Sequence, residues 1–331
     1  MLKPAAAMED SKLQEIHDFL ITIAHQAGEK ILAARPTTNT SDTKKNAVDL
    51  VTETDKAVET YISTALNTKY PDIKFIGEET YVPGQMNLTS SPTFIVDPID
   101  GTTNFVHAHP YVSISLGLAI NYTPYVGVVY APFSGLLYSG IRGHGAWLTT
   151  TFPGRPNEEP SSREKLPLRQ PSPLTGVGGA QLCVEWGSDR SGNDMKVKID
   201  TFARLVRAKE EGGAMAHSLR SFGSAALNLC GVAASSLDAY WEAGCWAWDV
   251  CAGWCILIEA GGCVVGANPG EWEAGLETRR YFAIRADGDA KEGETVKGVA
   301  EGQEVMKVSK GQKAFIEEFW GFVEGKFEVG G

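Results

Sequence analysis

The acidic residues of the stretch 97–104, Asp-Pro-Ile-Asp-Gly-Thr-Thr-Asn, are the first candidates for chemistry in this chain. The stretch follows residues 93–96, a β-branched and aromatic run that predicts a buried strand. A proline and Gly101 favour a tight turn, so the carboxylates of Asp97 and Asp100 can converge on one point. Converging carboxylates repel each other unless a cation lies between them, and Mg²⁺ prefers such oxygen ligands. The stretch favours a magnesium site, although capping of the turn by the same carboxylates stays an open alternative.

Three more acidic residues occupy the same kind of position, at the end of a predicted strand or the start of a predicted helix. Glu78 follows a strand predicted over residues 73–77, Asp249 opens an apolar helix that runs to Ala260, and Asp55 lies in the first turn of another helix. Carboxylates at helix starts also stabilise the helix dipole, so a structural role for Asp55 and Asp249 stays open. Acids at element ends are what a multi-metal phosphate site requires, because two Mg²⁺ ions can clamp both oxygens of an in-line displacement.

The elements that must position these acids change in character along the chain. Apolar residues at helical spacing predict a helix over residues 9–33, and the polar residues 37–48 predict an exposed loop. Short strands separated by turn residues over 112–138 predict an antiparallel meander. Strands and helices alternate beyond residue 182, which is typical of an α/β half.

These changes in the pattern of predicted helices and strands divide the chain into four segments. We expect an N-terminal α+β half with most of the acids over residues 9–150 and a C-terminal α/β half over residues 174–287. A Pro-rich, exposed insertion is predicted over residues 151–173, and a Gly- and charge-rich extension over residues 288–331.

Composition limits the classes of function. With 43% hydrophobic and 21% charged residues, the 331-residue chain is typical of a soluble globular protein. No apolar run approaches the roughly 20 residues that span a bilayer, and no signal peptide is evident, so we expect a cytoplasmic protein. The net charge of −11 disfavours nucleic acid and anionic membranes as partners. A small phosphorylated substrate is compatible with this charge, because a bound divalent cation reverses the local sign.

The six cysteines are predicted to be reduced and buried. Cys251 and Cys255 are four residues apart on a predicted helix, a spacing that could serve zinc. No Cys-x-x-Cys pair or histidine partner completes such a site, so small buried hydrophobic side chains are the favoured interpretation.

Four ordered blocks of the sequence resemble the inositol monophosphatase family. Residues 97–107 are similar to the family's first signature and residues 248–262 to its second, while residues 49–55 and 75–79 match in the expected order. The resemblance covers roughly residues 12–285. It implies the layered α/β/α/β/α sugar-phosphatase fold, of mixed α+β and α/β class. It also implies a Mg²⁺-dependent phosphomonoesterase that hydrolyses myo-inositol 1-phosphate and related inositol and polyol monophosphates by a metal-activated water.

The resemblance implies a ligand set for two or three Mg²⁺ ions. One ion would be bound by Glu78, Asp97 and the Ile99 carbonyl oxygen. A second would be bound by Asp97, Asp100 and Asp249, and a weaker third would lie near Glu78.

The resemblance also implies catalytic and substrate-binding residues. Thr102 would orient the attacking water, with Asp55 behind it and Glu78 beside it. The substrate phosphate would contact N–H groups of Gly101, Thr102 and Thr103. The substrate hydroxyls would contact Gly223, Ser224, Ala225 and Glu242. A loop lysine, Lys44, matches a family lysine near the third ion.

Lithium sensitivity, a homodimer and a role in inositol metabolism and phosphatidylinositol signalling are implied in the same way. Two alternatives stay open. One is another phosphatase of the same fold, acting on fructose bisphosphate, histidinol phosphate or adenosine bisphosphate. The other is a phosphatase-like regulatory protein that binds a metabolite.

Overall fold

A computed structural model describes residues 8–35, 44–83, 87–152, 160–288, 294–295 and 307–329. The helices of this part are α1 (Asp10–Ala33), α2 (Lys44–Lys69), α3 (Thr102–Val106), α4 (Gly192–Val206), α5 (Ala225–Ala233), α6 (Ala247–Glu259) and α7 (Lys310–Trp320). The first strands are β1 (Lys74–Gly77), β2 (Thr93–Asp100), β3 (Ser113–Ile120), β4 (Thr123–Ala131), β5 (Leu136–Ile141), β6 (Gly145–Thr150) and β7 (Ser162–Lys165). The later strands are β8 (Gln181–Val184), β9 (Ser218–Arg220), β10 (Ala239–Ala243), β11 (Cys263–Val265), β12 (Arg280–Ile284), β13 (Glu294–Thr295) and β14 (Lys307–Val308).

The chain forms two compact units, each built from separate segments. Unit 1 comprises Met1–Lys165, Gly223–Cys230 and Ala247–Glu259, and unit 2 comprises Leu166–Phe222, Gly231–Trp246 and Ala260–Gly331. Helix α6 therefore groups with unit 1, whereas the sequence pattern grouped it with the C-terminal half.

A seven-stranded sheet in the order β1 to β7 organises unit 1, with helices on both faces. Ile114, Leu116 and Leu118 of β3 join the core formed with α1 and α2. The alternate residue Gly117 faces α6, where an added Cβ would lie 2.6 Å from the Cys251 Sγ. Because Gly117 has no side chain, α6 packs closely against this face of the sheet, and the helix therefore belongs to unit 1.

Two local predictions are corrected in unit 1. Helix α2 begins at Lys44, so the predicted loop lysine is the first residue of a helix. Residues 162–165 of the predicted insertion form β7, which pairs with β6 at the sheet edge. Charged side chains on an edge strand are typical, because they discourage pairing with another chain.

Unit 2 contains a five-stranded mixed sheet in the order β11-β12-β10-β8-β9. Its core includes Trp241 of β10 and Phe282 of β12, and α7 adds Phe315 and Phe319. The rings of Phe282 and Phe319 stack with centroids 4.2 Å apart. The C-terminal segment predicted as an extension therefore supplies part of the core of this unit.

The six cysteines are all free and buried, as predicted. Among the residues that the structure describes, no helix combines the length and apolar character needed to cross a membrane.

Candidate metal centre and active site

The parallel pairing of β1 with β2 brings Glu78 next to Asp97. Gly77 lies opposite Val96, and the Glu78 N–H donates to the Val96 carbonyl at 3.2 Å, which continues the ladder. The side chains of Glu78 and Asp97 are close enough to influence each other's pKa. Two carboxylates this close repel each other when both are ionised, and a cation between them relieves that repulsion.

Asp97, Asp100 and Asp249 form the centre of the site. Each offers a carboxylate oxygen, and these atoms all lie within 4.8 Å of one another. The register of β2 against β3 shifts between Asp97 and Asp100, and this irregularity accompanies the convergence of the two side chains. Asp249 is in the first turn of α6, whose start is anchored by a 2.8 Å hydrogen bond from the Ser115 hydroxyl to the Trp248 carbonyl.

Burial and mutual repulsion make these acids hard to ionise together. Burial, followed by the charge of Glu78, raises the pKa of Asp97 well above its usual range. Burial raises the pKa of Asp100 to about 7, with a further contribution from Asp249. Burial also raises the pKa of Glu78 to about 7. No lysine or arginine of the described part of the chain lowers the pKa of Glu78, Asp97 or Asp100, so this group of carboxylates fits a divalent cation that prefers oxygen ligands.

Asp55 is buried within α2, well beyond the first turn of the helix, which begins at Lys44. This position excludes the helix-start role that the sequence left open for Asp55. Burial, together with the charges of Glu79, Glu78 and Glu59, raises the pKa of Asp55 to about 8. An acid with a pKa near neutrality can accept and release a proton, as a general base must.

Ile99, Gly101 and Thr102 surround the turn that follows β2. The Thr102 hydroxyl donates to the Ile99 carbonyl oxygen at 3.1 Å. Gly101 has a left-handed φ of 94°, and an added Cβ would lie 3.1 Å from the Gly223 carbonyl oxygen. Glycine is therefore needed at position 101 for both its backbone conformation and this close approach. Thr103 is exposed at the start of α3.

Ser224 and Ala225 contact Asp100, an arrangement that the sequence did not predict. The Ser224 hydroxyl and the Ala226 N–H donate to the Asp100 Oδ2, the latter at 2.9 Å. The Ala225 N–H donates to the Asp100 Oδ1 at 3.2 Å. The start of α5 thus holds this carboxylate, since the first N–H groups of a helix lack intrahelical acceptors.

Glu242 lies on β10, which belongs to unit 2. Its carboxylate accepts a hydrogen bond from the Tyr240 hydroxyl. The side chain of Lys44 lies outside the described part of the chain.

The pKa values of the acids predict how pH affects the metal-free chain. A carboxyl group whose pKa is higher in the folded chain than in the unfolded chain stabilises the fold when it is protonated. This stabilisation is fully present below the unfolded pKa values near 4, and it is lost as the pH rises through the folded values of about 7 to 8. Mg²⁺ would offset the repulsion that develops there. We expect the difference in Tm between Mg²⁺ and chelator samples to be larger at pH 8.5 than at pH 6, with each 1 kcal/mol shifting Tm by roughly 2–4 °C. Differential scanning fluorimetry measures this, and a difference that shrinks with rising pH would contradict it.

The mixed sheets and the converging carboxylates suit an enzyme that binds a divalent cation, and comparisons with known proteins identify its family. A model of the inositol monophosphatase family matches residues 12–304. Inositol monophosphatase 2 of Saccharomyces cerevisiae is 43% identical over 321 residues, which cover 96% of this chain and 97% of that protein. The chain belongs to the inositol monophosphatase family.

Solved structures share the fold. Mycobacterium tuberculosis SuhB is similar with a TM-score of 0.62 and 26% identity, over 83% of this chain and 92% of that one. The structure of 2′AMP-bound SaIMPase-II is similar with a TM-score of 0.59 and 25% identity, over 82% of this chain and 90% of that one. These similarities confirm the predicted fold class.

Proposed function

We propose that the chain hydrolyses myo-inositol 1-phosphate and related inositol and polyol monophosphates to the free alcohol and phosphate. The observation that carries the proposal is the convergence of Asp97, Asp100 and Asp249 within 4.8 Å, in a chain of this family. A protein that only bound a metabolite would not need three converging carboxylates, two of them buried.

We propose two or three Mg²⁺ ions as the cofactor, held by Glu78, Asp97, the Ile99 carbonyl oxygen, Asp100 and Asp249. The closeness of the Asp97, Asp100 and Asp249 oxygens, and the fact that all the proposed ligands are oxygens, support magnesium over zinc. When bound, the ions would supply Lewis-acid chemistry, which polarises phosphoryl oxygens and makes water a better nucleophile at neutral pH. Inhibition by lithium would follow from competition at a weaker site.

The chain's own residues would orient the reactants and move a proton. Thr102, whose hydroxyl is already directed at the Ile99 carbonyl, would orient the attacking water. Asp55, with its pKa near 8, and Glu78 would take up the proton that the water releases. The N–H groups of Gly101, Thr102 and Thr103 would bind the substrate phosphate.

Recognition of the leaving alcohol is proposed for a second set of residues: Gly223, Ser224, Ala225 and Glu242. Glu242 can accept hydrogen bonds from polyol hydroxyls, because a carboxylate is a strong acceptor. The Ser224 hydroxyl and the Ala225 N–H also donate to Asp100, so these two residues would act partly by holding Asp100 as a metal ligand. Lys44 would act near the third ion.

A substrate panel tests the proposal. Phosphate release would be measured with Mg²⁺ for myo-inositol 1-phosphate, fructose bisphosphate, histidinol phosphate, adenosine bisphosphate and 2′-AMP, with and without lithium. We expect the highest kcat/KM for the inositol phosphate. The 2′-AMP-bound relative makes nucleotide monophosphates the second candidate. A nucleotide or sugar bisphosphate hydrolysed tenfold faster than the inositol phosphate would overturn the assignment.

We also propose a cytoplasmic homodimer. Six free cysteines suit a reducing compartment. Light scattering that gave a mass near 35.7 kDa would show a monomer instead.

A further inference from the structure

Glu59 is a buried acid whose role the sequence did not suggest. It lies one helical turn after Asp55 on α2, so both side chains project from the same side of the helix. Its relative exposure is 1%, and its Oε1 is buried with no hydrogen-bond partner among the described residues. A buried carboxylate oxygen without a partner costs free energy, so its retention calls for an explanation.

The other carboxylate oxygen of Glu59 contacts the backbone beside Glu78. Its Oε2 accepts the Glu79 N–H at 2.8 Å. The Glu78 N–H itself donates to the Val96 carbonyl at 3.2 Å. The N–H groups on both sides of the Glu78 Cα are therefore bound, one by the sheet and the other by Glu59.

The packing at the end of β1 fits this role. An added Cβ at Gly77 would lie 2.5 Å from the Glu59 Cδ and Oε2. The glycine thus leaves the space that the Glu59 carboxylate occupies. The side chain cannot be shifted far without losing either this packing or the hydrogen bond to Glu79.

We propose that Glu59 is a positioning residue that fixes the backbone around Glu78 and thereby holds the Glu78 carboxylate against Asp97. The inference rests on the proposed function, since it concerns the support of a proposed metal ligand. Residues that orient metal ligands typically contribute about 10–100-fold to metal affinity.

Substitutions of similar size at position 59 separate the effect of the hydrogen bond to the Glu79 N–H from the effects of charge and packing. In Glu59→Gln the amide oxygen still accepts the Glu79 N–H, whereas Glu59→Met has a similar length and no acceptor. Glu53→Met, at an exposed position on the same helix, is the matched control. Mn²⁺ affinity would be measured by titration calorimetry without substrate, alongside kcat and the apparent KM for Mg²⁺.

We expect Glu59→Met to lower Mn²⁺ affinity about 10–100-fold and to raise the apparent KM for Mg²⁺ more than it lowers kcat. Glu59→Gln and Glu53→Met should stay within about threefold of the unsubstituted chain. Equal effects of Gln and Met, or no effect of either, would overturn the proposal.

A third variant covers the case in which Glu59→Met fails to fold. Glu59→Asp keeps the charge but withdraws the acceptor by one methylene, so we expect a loss of Mn²⁺ affinity of about tenfold, and unchanged affinity would overturn the proposal. If the unsubstituted chain neither binds Mn²⁺ nor releases phosphate, the proposed function itself fails, which is a separate result.

Discussion

Replacing Asp97 by asparagine is expected to lower kcat/KM for phosphate release about 10³-fold. A carboxylate oxygen of Asp97 lies within 4.8 Å of oxygens of Asp100 and Asp249, and the charge of Glu78 acts on the same carboxylate. An amide keeps one acceptor oxygen but removes the charge and the second oxygen. Bound metal supplies several kcal/mol to such reactions, and about 4 kcal/mol corresponds to the expected loss.

The same substitution should not destabilise the metal-free chain. The Asp97 Oδ1 accepts the Ile99 N–H at 2.9 Å, and an asparagine oxygen can make the same bond. Removing one of several mutually repelling acids should leave Tm in chelator equal or higher at pH 8.5. Loss of activity with retained stability distinguishes a catalytic effect from unfolding.

Asp72→Asn is the control, because Asp72 is exposed on the surface. It should leave both kcat/KM and Tm unchanged. If Asp97→Asn kept more than about a tenth of the activity at saturating Mg²⁺, Asp97 would not be a central ligand.

Ending the chain at residue 288 is expected to prevent the folding of unit 2. The segment that follows places seven apolar side chains in its core: Val308, Phe315, Ile316, Phe319, Trp320, Val323 and Phe327. Each contributes roughly 1.5–3 kcal/mol on burial, so the group contributes on the order of 10 kcal/mol, comparable with the whole stability of a typical domain. Polar contacts add to this, since the Gln312 amide donates to the Arg285 carbonyl at 2.9 Å.

A pair of point variants on α7 tests the same role within the full chain. Phe319→Ala should reduce the free energy of unfolding by about 3–5 kcal/mol, because Phe319 is fully buried against Trp241 and Phe282. Glu317→Ala, at a half-exposed position, should change it by less than about 0.5 kcal/mol. Urea denaturation measures both.

A truncated chain with the same unfolding midpoint as the full chain would show that the segment is dispensable.

Much of the carboxylate centre could be predicted from the sequence, because the residues next to each acid indicate the strand, turn or helix that carries it. Asp97 and Asp100 share one turn, and Glu78 follows a strand whose apolar pattern is clear. Asp55 was placed correctly on a helix but at the wrong point in it, because the helix starts earlier than its apolar pattern indicates.

Contacts between distant segments could not be predicted in this way. Nothing in the residues around Ser224 indicates that its hydroxyl binds Asp100, 124 positions earlier in the chain. The Gly- and charge-rich composition after residue 287 suggested an extension, and it did not indicate that α7 packs into the core of unit 2. The assignment of α6 to unit 1 depends on glycines of the sheet such as Gly117 and Gly127, and the sequence does not indicate which helix packs against them.

The most direct test of the metal-centred phosphatase is phosphate release from myo-inositol 1-phosphate by chain stripped with a chelator and then titrated with Mg²⁺. We expect no release from the stripped chain, recovery with added Mg²⁺, and no recovery in Asp100→Asn, which loses one of the three converging carboxylates. Release that persists in excess chelator, or full recovery in Asp100→Asn, would contradict the assignment of Asp97, Asp100 and Asp249 as the catalytic metal centre.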